Sequence, residues 1–379
     1  MKLLSDVRVL DLTRLYPGPF CTMMMADMGA EVIKIESPGE GDYMRDMGPA
    51  PEGGDSLYFK LLNRNKKSMT LNLKAKGAAQ VFLRLAAEAD VIVEGFRPGV
   101  VDSLGVGYKD VCQVNPDIVY CSITGYGQEG PCSKRAGHDL NYIALAGILG
   151  ITGNAGSAPA IPGVQIGDVG GGALMGLSAV LAALYARERG QGGRYLDIAM
   201  LDGLVSWLPL AMAEVFAGNS VVRGGAALNG GLACYHVYET ADAKHMTLAA
   251  LEQKFWQAFC QAVTRDDLCE LQYQPDQAAL KKELAKIFKS RTRSEWEETF
   301  ANVDACCEPV LDLVEVGRHP QVRARGMVSG NSLGCPIRIQ GEEMAVTDAP
   351  ALGCHTVEVL SENGFSETEI ATLREKGIV

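Results

Sequence analysis

The sequence predicts an α/β fold in which a parallel sheet is covered by helices on both faces. Short runs rich in Val, Ile and Leu alternate with stretches of helical pattern through residues 1–125. These runs are rich in apolar β-branched residues, as expected of strands buried on both sides, and the helices between them allow right-handed crossovers. The length of 379 residues suggests two domains.

Strands and helices follow one another in regular order along this part of the chain. We expect strands at 7–12, 31–36, 69–73, 90–96 and 117–126, with helices at 20–29 and 75–89. Because ligands bind at the carboxyl ends of the strands of such a sheet, Arg97 and Gly125 should lie near the binding edge.

The longest uncharged run, residues 169–186, is predicted to be a core helix. Its length reaches the lower limit for a membrane span, but glycines open it and Asp168 precedes it. Beyond a Gly/Ala-rich stretch, the pattern predicts a hairpin over 235–251 that turns near Asp242. Capping boxes predict further helices that begin after Thr292 and Ser366.

The charge of the chain is unevenly distributed. A net charge of −11 argues against nucleic acid as a partner, yet seven basic residues and no acid lie between Ser56 and Ala87. An acid-free basic stretch suggests a polyanionic ligand. The N-terminal residues do not resemble a signal peptide and the cysteines show no CxxC spacing, so we expect a cytoplasmic protein without a membrane partner.

Two segments carry residues suited to acid–base or nucleophilic chemistry. His138 and Asp139 stand at the start of a helical pattern, and Asp168 stands before three glycines and the long apolar helix. Exposed N–H groups and the helix dipole would stabilise a carboxylate there, and the glycines would let a ligand approach the backbone. Each residue also has a structural interpretation: Asp168 as an N-cap, Asp139 as a first-turn helix acid and His138 as a partly buried histidine.

Several common motifs are absent from the sequence. It contains no GxxxxGK[ST] phosphate loop, no GxGxxG after a strand, no HExxH and no GxSxG. The five histidines are too dispersed to predict a metal site, so no metal is expected. These absences argue against nucleotide triphosphate hydrolysis, NAD binding and the usual hydrolase triads.

The motifs that are present resemble, in combination, those of the CoA-transferase family III, or CaiB/BaiF family. The resemblance covers nearly the whole chain and rests on the segments VRVLDLTRLYPGPF, GAEVIKIESPGEGD, NRNKKSMTLNLK, DVIVEGFRPGVVDSLGVGY, SITGYGQEGP, GHDLNY, GDVGGG and HTVEVL. Within the family, the resemblance is greatest to the α-methylacyl-CoA racemase branch.

The resemblance implies two alternative reactions at Asp168. In the transferase branch this aspartate is the nucleophile, with mixed anhydride and thioester intermediates. In the racemase branch it is a base that works with His138, where transferases usually carry an aromatic residue. Glu252 matches a glutamate near that histidine, Tyr235 matches an active-site tyrosine, and Asp139 supports them. We expect a 2-methylacyl-CoA racemase, with a CoA-transferase and a non-catalytic acyl-CoA-binding relative as alternatives.

Racemisation requires a proton to leave one face of the α-carbon and to return to the other. An imidazole suits either role near neutral pH, and a desolvated carboxylate becomes a stronger base. Glu252 would orient His138 and favour its imidazolium form, while N–H groups near Gly170 or Asp168 would stabilise the enolate oxygen. Such proton transfers need no cofactor beyond the CoA of the substrate.

The basic stretch then becomes a candidate site for the phosphates of CoA, with only two or three of its bases in contact. Ser37 and Ser103 replace arginines common in racemases, which leaves Lys34 and Arg64 as substitutes. The CoA-binding residues expected are Lys34, Arg64, Leu71, Asn72, Leu73, Lys74, Gly95, Phe96, Arg97, Gly137, Asn141 and Tyr142.

The resemblance also implies the architecture. Both chain ends would form a large Rossmann-like domain, from residues 1–190 and from 321–379, which includes a return linker. Residues 191–231 would be linker helices and 232–320 a smaller α+β domain. The family forms interlocked homodimers, so the expected partner is a second copy of the chain, and Glu252 and Tyr235 would serve the partner's site.

Overall fold

The computed structural model describes residues 2–51, 54–342 and 346–379. The chain forms two compact units. The first contains the chain up to Ala146, Val164–Trp207 and Ser329–Val379, and the second contains Gly147–Gly163 and Leu208–Val328. Both chain ends therefore belong to one unit.

These bounds differ from the predicted ones, because residues 191–207 belong to the first unit and residues 147–163 and 321–328 belong to the second. Strand pairing keeps residues 194–199 in the first unit, where a linker was expected. Residues 147–163 belong to the second unit, because Arg223 donates to the carbonyl of Gly150 and Asn229 to that of Ile151.

Strands and helices are numbered in the order in which the chain forms them. The strands are β1 (Arg8–Asp11), β2 (Glu31–Glu36), β3 (Lys67–Thr70), β4 (Val91–Glu94), β5 (Val119–Thr124), β6 (Arg194–Ala199), β7 (Tyr235–Glu239), β8 (His245–Ala249), β9 (Cys307–Pro309), β10 (Val328–Ser329) and β11 (Ser332–Leu333). The helices are α1 (Pro17–Asp27), α2 (Leu57–Leu62), α3 (Ala78–Ala87), α4 (Val100–Ser103), α5 (Tyr108–Val114), α6 (Asp139–Leu145), α7 (Ile148–Ile151), α8 (Met175–Ala186), α9 (Met200–Val205), α10 (Pro209–Phe216), α11 (Gln253–Ala262), α12 (Gln277–Phe288), α13 (Arg293–Phe300), α14 (Leu313–Val316), α15 (Pro320–Ala324), α16 (Thr356–Glu362) and α17 (Glu367–Glu375).

The first unit is built on a six-stranded sheet in the order β3-β2-β1-β4-β5-β6. Every neighbouring pair of its strands is parallel. This confirms the predicted parallel α/β fold, and the order is that of Rossmann folds. In such sheets the ligand crevice lies at the carboxyl ends of the strands where the order reverses, here between β1 and β4.

One helical segment of this unit extends from Gly167 to Gln191, with a break in the helical backbone at Gly190, and α8 forms its centre with π-helical turns at both ends. It is long and apolar enough to cross a membrane, with half of its most apolar window buried. It packs on β5, β6 and α1, which agrees with the predicted core helix.

The C-terminal residues pack on the β3 edge of the same sheet. His355 donates its N–H to Ser68 O at 2.9 Å and accepts from Ser68 N through Nδ1 at 3.1 Å. Leu360 and Ile370, which are buried, add apolar side chains to the core under β1–β3. The two chain ends thus form one hydrophobic core, as the resemblance implied.

The second unit has an antiparallel sheet in the order β7-β8-β9 and a core rich in aromatic side chains. The predicted hairpin is confirmed, with its turn at Ala243, whose φ is 58°. Phe288 stacks on Tyr238 at 4.9 Å between ring centroids, and Phe259 stacks on Trp256 at 5.5 Å. This is the predicted smaller α+β unit.

Candidate active site

The starts of two helices meet through the side chain of Asp139. Asp139 is the first residue of α6, and its Oδ1 accepts from the backbone N–H of Gly167 at 2.6 Å and of Asp168 at 3.1 Å. Those two residues open the long helix. One carboxylate therefore links the GHD and GDVGGG segments and brings Asp139 and Asp168 together.

Asp168 has an unusual electrostatic environment. Burial, followed by the nearby negative charge of Asp139, raises the pKa of Asp168 from 3.8 to about 7. A carboxylate with such a pKa is a stronger base than an exposed aspartate. A usable fraction of it is still ionised near neutral pH, so it can accept a proton there.

The glycines after Asp168 serve helix packing. A Cβ on Gly170 would lie 1.7 Å from Trp207 Cη2, and one on Gly203 of α9 would lie 2.3 Å from Gly171 O. The positions that a side chain would take on these glycines are thus occupied by other atoms of the protein. The expectation that a ligand approaches the backbone across them is wrong, because α9 and Trp207 fill that space.

The expected oxyanion donor at Asp168 is also corrected. The N–H of Asp168 donates to Asp139, and the N–H of Val169 donates to Gln165 O at 3.1 Å. The Asp168 N–H is therefore already paired, and it serves to hold the carboxylate of Asp139.

His138 precedes α6 and is exposed. Its backbone N–H donates to Asn141 Oδ1 at 3.0 Å, so Asn141 fixes the chain at this point. Tyr142 is buried, and its hydroxyl donates to Gly137 O at 2.5 Å. A Cβ on Gly125 would lie 2.4 Å from the Tyr142 ring. Gly137, Asn141 and Tyr142 thus hold the segment that presents His138.

Tyr16, which the sequence analysis missed, lies near both carboxylates. Burial, then the charges of Asp168 and Asp139, raises the pKa of its phenol. The preceding Leu15 has φ of 65°, a costly conformation for a residue with a branched side chain, and its N–H donates to Asp42 Oδ1 at 3.1 Å. The only signal in the sequence is the position of this tyrosine directly before the Pro-Gly-Pro helix start.

Lys34 and Arg64 do not match their predicted role as phosphate ligands. Lys34 is fully buried, and its Nζ lies 2.8 Å from Asp42 Oδ2 and donates to Thr13 O at 2.9 Å. Arg64 is buried as well and donates through Nε and Nη2 to the two carboxylate oxygens of Asp27, at 3.0 and 2.5 Å. Both cations are neutralised inside the protein, so this prediction is corrected.

Other bases of the acid-free stretch also pair with acids from elsewhere in the chain. Lys66 is buried, with Nζ 3.0 Å from Asp11 Oδ2 and 2.8 Å from Thr22 Oγ1. Lys67 and Arg84 form ion pairs on the surface of the same unit. The three remaining bases are exposed, and no carboxylate of the described chain lies within ion-pair distance of them: Lys60, Lys74 and Lys76.

The predicted CoA segment 71–74 contains both core and surface residues. Leu71 is buried and Leu73 packs against the same core. The N–H of Asn72 donates to Ile378 O at 2.7 Å, and its Oδ1 accepts from the N–H of Lys74 at 3.2 Å. Of these four side chains, Lys74 is the exposed cation.

The loop after β4 is held by a buried carboxyl group. Glu94 Oε2 accepts from the N–H of Phe96 at 2.7 Å, and Oε1 accepts from the hydroxyl of Ser122. Burial raises the pKa of Glu94 to about 7. Gly95 and Arg97 of this loop are exposed, while Phe96 is half-buried.

The two site residues predicted in the second unit lie at element starts. Glu252 is exposed at the N-cap of α11, where its carbonyl accepts from the N–H groups of Phe255 and Trp256. Tyr235 is half-buried and begins β7. Across the described ranges, no group of three or more His, Cys, Asp or Glu side chains is arranged to hold a metal ion.

Comparisons with known proteins agree with this architecture. The model of the CoA-transferase family III matches residues 4–356. The α-methylacyl-CoA racemase of Mus musculus is 35% identical over 99% of this chain and 97% of its own length. The human succinyl-CoA:glutarate CoA-transferase is 33% identical over 100% of this chain and 90% of its own.

A solved structure extends the similarity to the fold. The CAIB/BAIF family protein from Brucella suis has a TM-score of 0.84 and 29% identity, over 96% of this chain and 99% of its own. Racemases and transferases thus match at similar identity. With the family model matching nearly the whole chain, this protein belongs to the CoA-transferase family III.

Proposed function

We propose that this protein is a 2-methylacyl-CoA racemase that inverts the α-carbon of its thioester substrate by two proton transfers through an enolate. One observation supports this proposal most strongly. Asp168, with its pKa raised to about 7, is tied through Asp139 to the segment that presents the exposed imidazole of His138. A carboxylate that exchanges its proton near neutral pH and an imidazole on the adjoining segment are the kinds of group that a two-base reaction uses.

The proposed steps involve protons alone. One of the two groups removes the α-proton, negative charge moves onto the thioester oxygen, and the other group delivers a proton to the opposite face. Burial and, to a smaller extent, the charge of Asp139 keep the pKa of Asp168 high, and Asp139 also holds the start of its helix. The CoA of the substrate acidifies the α-proton as a thioester, so the reaction needs no metal or redox cofactor.

The alternative is a CoA-transferase in which Asp168 attacks the thioester carbonyl. The human and archaeal relatives that transfer CoA between carboxylic acids, at 33–36% identity, support it as much as the racemases support the first proposal. His138 favours racemisation, because an imidazole on the segment that Asp139 links to Asp168 has a direct role in proton transfer and none in acyl transfer by Asp168.

Deuterium exchange separates the two reactions. Incubated in D₂O with a 2-methylacyl-CoA and no acceptor acid, the enzyme should incorporate deuterium at the α-carbon and produce both epimers. Mass spectrometry and chiral separation of the acyl group measure both outcomes. Acid-dependent transfer of labelled CoA without any exchange would establish the transferase instead.

Variants of the two bases sharpen this test. In a two-base enzyme, each base exchanges the α-proton of one epimer. His138→Gln and Asp168→Asn should therefore each abolish racemisation, and each should retain exchange with the opposite epimer. His245→Gln, which removes an exposed imidazole from β8, is the matched control and should retain full activity. Loss of exchange with the same epimer in both variants would contradict the two-base mechanism.

We further propose that the protein acts as a dimer of identical subunits. Helix α10, PLAMAEVF, has no buried residue, and Leu210 and Phe216 are 69% and 80% exposed. Ile161 of the same unit is 68% exposed and adds further apolar surface. Apolar surface on this scale marks an interface. A second copy of the chain is the occupant that the family resemblance suggests.

The dimer would bring Glu252 and Tyr235 of one subunit to the His138–Asp168 site of the other. Subunit complementation tests this directly. Mixed dimers of a Glu252→Ala chain and a His138→Gln chain should recover racemisation that neither variant has alone. A monomer by light scattering, or the absence of recovery in verified mixed dimers, would contradict this arrangement.

A further inference from the structure

The proposed enolate needs a hydrogen-bond donor for its oxygen, and the donors at the start of the Asp168 helix are already engaged. The N–H groups of Gly167 and Asp168 donate to Asp139 Oδ1, and that of Val169 donates to Gln165 O. Donors that stabilise a developing oxyanion act best when they are placed for it in advance. A donor from another element of the same unit is therefore the better candidate.

The hydroxyl of Tyr16 is such a donor. Tyr16 is half-buried, and among residues 2–51, 54–342 and 346–379 no group lies within hydrogen-bond distance of its hydroxyl. Buried tyrosines usually find a partner, and the hydroxyls of Tyr120, Tyr142 and Tyr238 each donate to a backbone carbonyl nearby. Tyr16 therefore differs from them in keeping an O–H group that a ligand can engage.

The backbone at Tyr16 adopts two costly conformations in succession. Leu15 has φ of 65°, and its N–H donates to Asp42 Oδ1. Tyr16 has ψ of −58°, in the α region that a following proline disfavours, and Pro17 follows it. The Tyr16 carbonyl accepts from the N–H of Phe20 at 3.0 Å, and the two rings meet edge-on with 6.2 Å between their centroids. Strain of this kind persists only where the surroundings fix one conformation, and it is concentrated at functional sites.

The start of α1 places Tyr16 beside the carboxylates of the candidate site. A Cβ on Gly172 would lie 3.3 Å from Pro17 Cβ, so the residue after Tyr16 packs on the first turns of the Asp168 helix. Burial, and then the charges of Asp168 and Asp139, raise the pKa of the Tyr16 phenol, so both carboxylates lie within electrostatic reach of it. The phenol therefore stays protonated and can donate.

We propose that the Tyr16 hydroxyl donates a hydrogen bond to the thioester oxygen of the substrate and stabilises the enolate that forms there. This inference rests on the proposed function, which makes the enolate the intermediate. When a base removes the α-proton, the C–H electron pair forms the C=C bond and the C=O electron pair moves onto the oxygen. Tyr16 keeps its own proton throughout, and its hydrogen bond strengthens as the oxygen becomes negative. Tyr16 then performs the role that was expected of the Asp168 N–H.

The first test is kinetic. Tyr16→Phe removes the donor and keeps the ring, so kcat for α-proton exchange should fall about 100- to 1,000-fold. KM should stay within about threefold of wild type, because the hydrogen bond is much stronger to the enolate than to the neutral carbonyl. Tyr185→Phe, which removes an exposed hydroxyl from α8, is the matched control and should retain full activity. Tyr16→Phe should unfold in urea at the wild-type midpoint, since no group of the described chain loses a partner.

Infrared spectroscopy detects the hydrogen bond without turnover. The probe is a 2,2-dimethylacyl-CoA with a ¹³C label at the carbonyl, which has no α-proton to exchange. A hydrogen bond to the carbonyl oxygen weakens the C=O bond and lowers its stretching frequency. The bound probe should therefore absorb at a lower frequency in wild type and in Tyr185→Phe than in Tyr16→Phe.

The infrared measurement also separates this inference from the proposed activity. If wild type catalyses no exchange but the frequency of the bound probe still rises in Tyr16→Phe, the donor role of Tyr16 stands and the proposed reaction fails. Equal frequencies in wild type and Tyr16→Phe would overturn the inference, even with a lower kcat, since they would assign Tyr16 a purely structural role. In an enzyme that exchanges the α-proton, a kcat of Tyr16→Phe within about threefold of wild type would overturn it as well.

Discussion

Replacing Asp139 by Asn should lower the pH at which the enzyme becomes active. The amide oxygen of Asn can still accept from the N–H groups of Gly167 and Asp168, so the link between the two helix starts is preserved. What the change removes is the negative charge beside Asp168. The proton affinity of Asp168 should fall while its position is maintained.

The structure sets an upper limit on this effect. Burial is the larger cause of the rise in the pKa of Asp168 from 3.8 to about 7, and the Asp139 charge is the smaller. Removing that charge should reverse less than half of the rise. We therefore expect the acidic limb of kcat/KM to move down by at most about 1.5 pH units, or about 2 kcal/mol.

The assay is the rate of α-proton exchange with the 2-methylacyl-CoA epimer that still exchanges in His138→Gln, whose α-proton Asp168 removes, measured as kcat/KM between pH 4.5 and 9. Wild type should lose activity below a midpoint near 7, and Asp139→Asn below a lower midpoint. Asp139→Ala, which also removes the hydrogen-bond acceptor, should lose activity across the whole range. An unchanged or higher midpoint in Asp139→Asn would refute the argument that Asp139 sets the proton affinity of Asp168.

Three further changes probe stability. Because the pKa of Asp168 is higher in the folded protein than in the unfolded chain, stability that is present below pH 3.8 is lost as the pH rises through 7. Asp168→Asn cannot ionise, so it should be more stable than wild type by up to about 4 kcal/mol at pH 8. Near pH 4 the two proteins should be nearly equally stable in urea unfolding. Lys66→Met removes the ion-pair partner of the buried Asp11 carboxylate, which keeps only its hydrogen bonds from Thr13 and Thr22 and the nearby charge of Lys34, and should cost about 3–5 kcal/mol. Lys60→Met, at an exposed lysine of the same stretch, should change stability by less than about 0.5 kcal/mol. Gly203→Ala places a Cβ 2.3 Å from Gly171 O and should cost at least about 1–3 kcal/mol in the same measurement, while Gly218→Ala, where the added Cβ meets open space, would show only the strain of its positive φ.

The sheet could be predicted because strands buried on both faces leave a local signal. The runs at 31–36 and 90–96 are apolar and β-branched, and β2 and β4 lie within them. Helix α2 has no such signal. It spans only six residues and depends on the hydroxyl of Ser56, which accepts from Tyr58 and Phe59 N–H groups. A short helix stabilised by one cap and by tertiary packing is not distinguishable from a loop by periodicity.

The sequence could predict those parts of the candidate site whose residues are close together in the chain. His138, Asp139 and the Asp168 helix start each stand in a recognisable segment. The hydrogen bonds from Gly167 and Asp168 to Asp139 join residues 28 and 29 positions apart, and no local pattern reveals them. Lys34 and Arg64 were misassigned for the same reason, because their partners Asp42 and Asp27 are set by the fold.

The ion pairs of the acid-free stretch affect how an anionic ligand reaches the protein. That stretch is basic in sequence, yet Arg64, Lys66, Lys67 and Arg84 are paired with acids from elsewhere in the chain. The chain as a whole carries a net charge of −11. A polyphosphate therefore approaches without long-range attraction, and salt lowers the mutual repulsion instead of weakening a guiding field. Capture of the ligand depends on contacts made after encounter, so selectivity resides in dissociation rates more than in association rates.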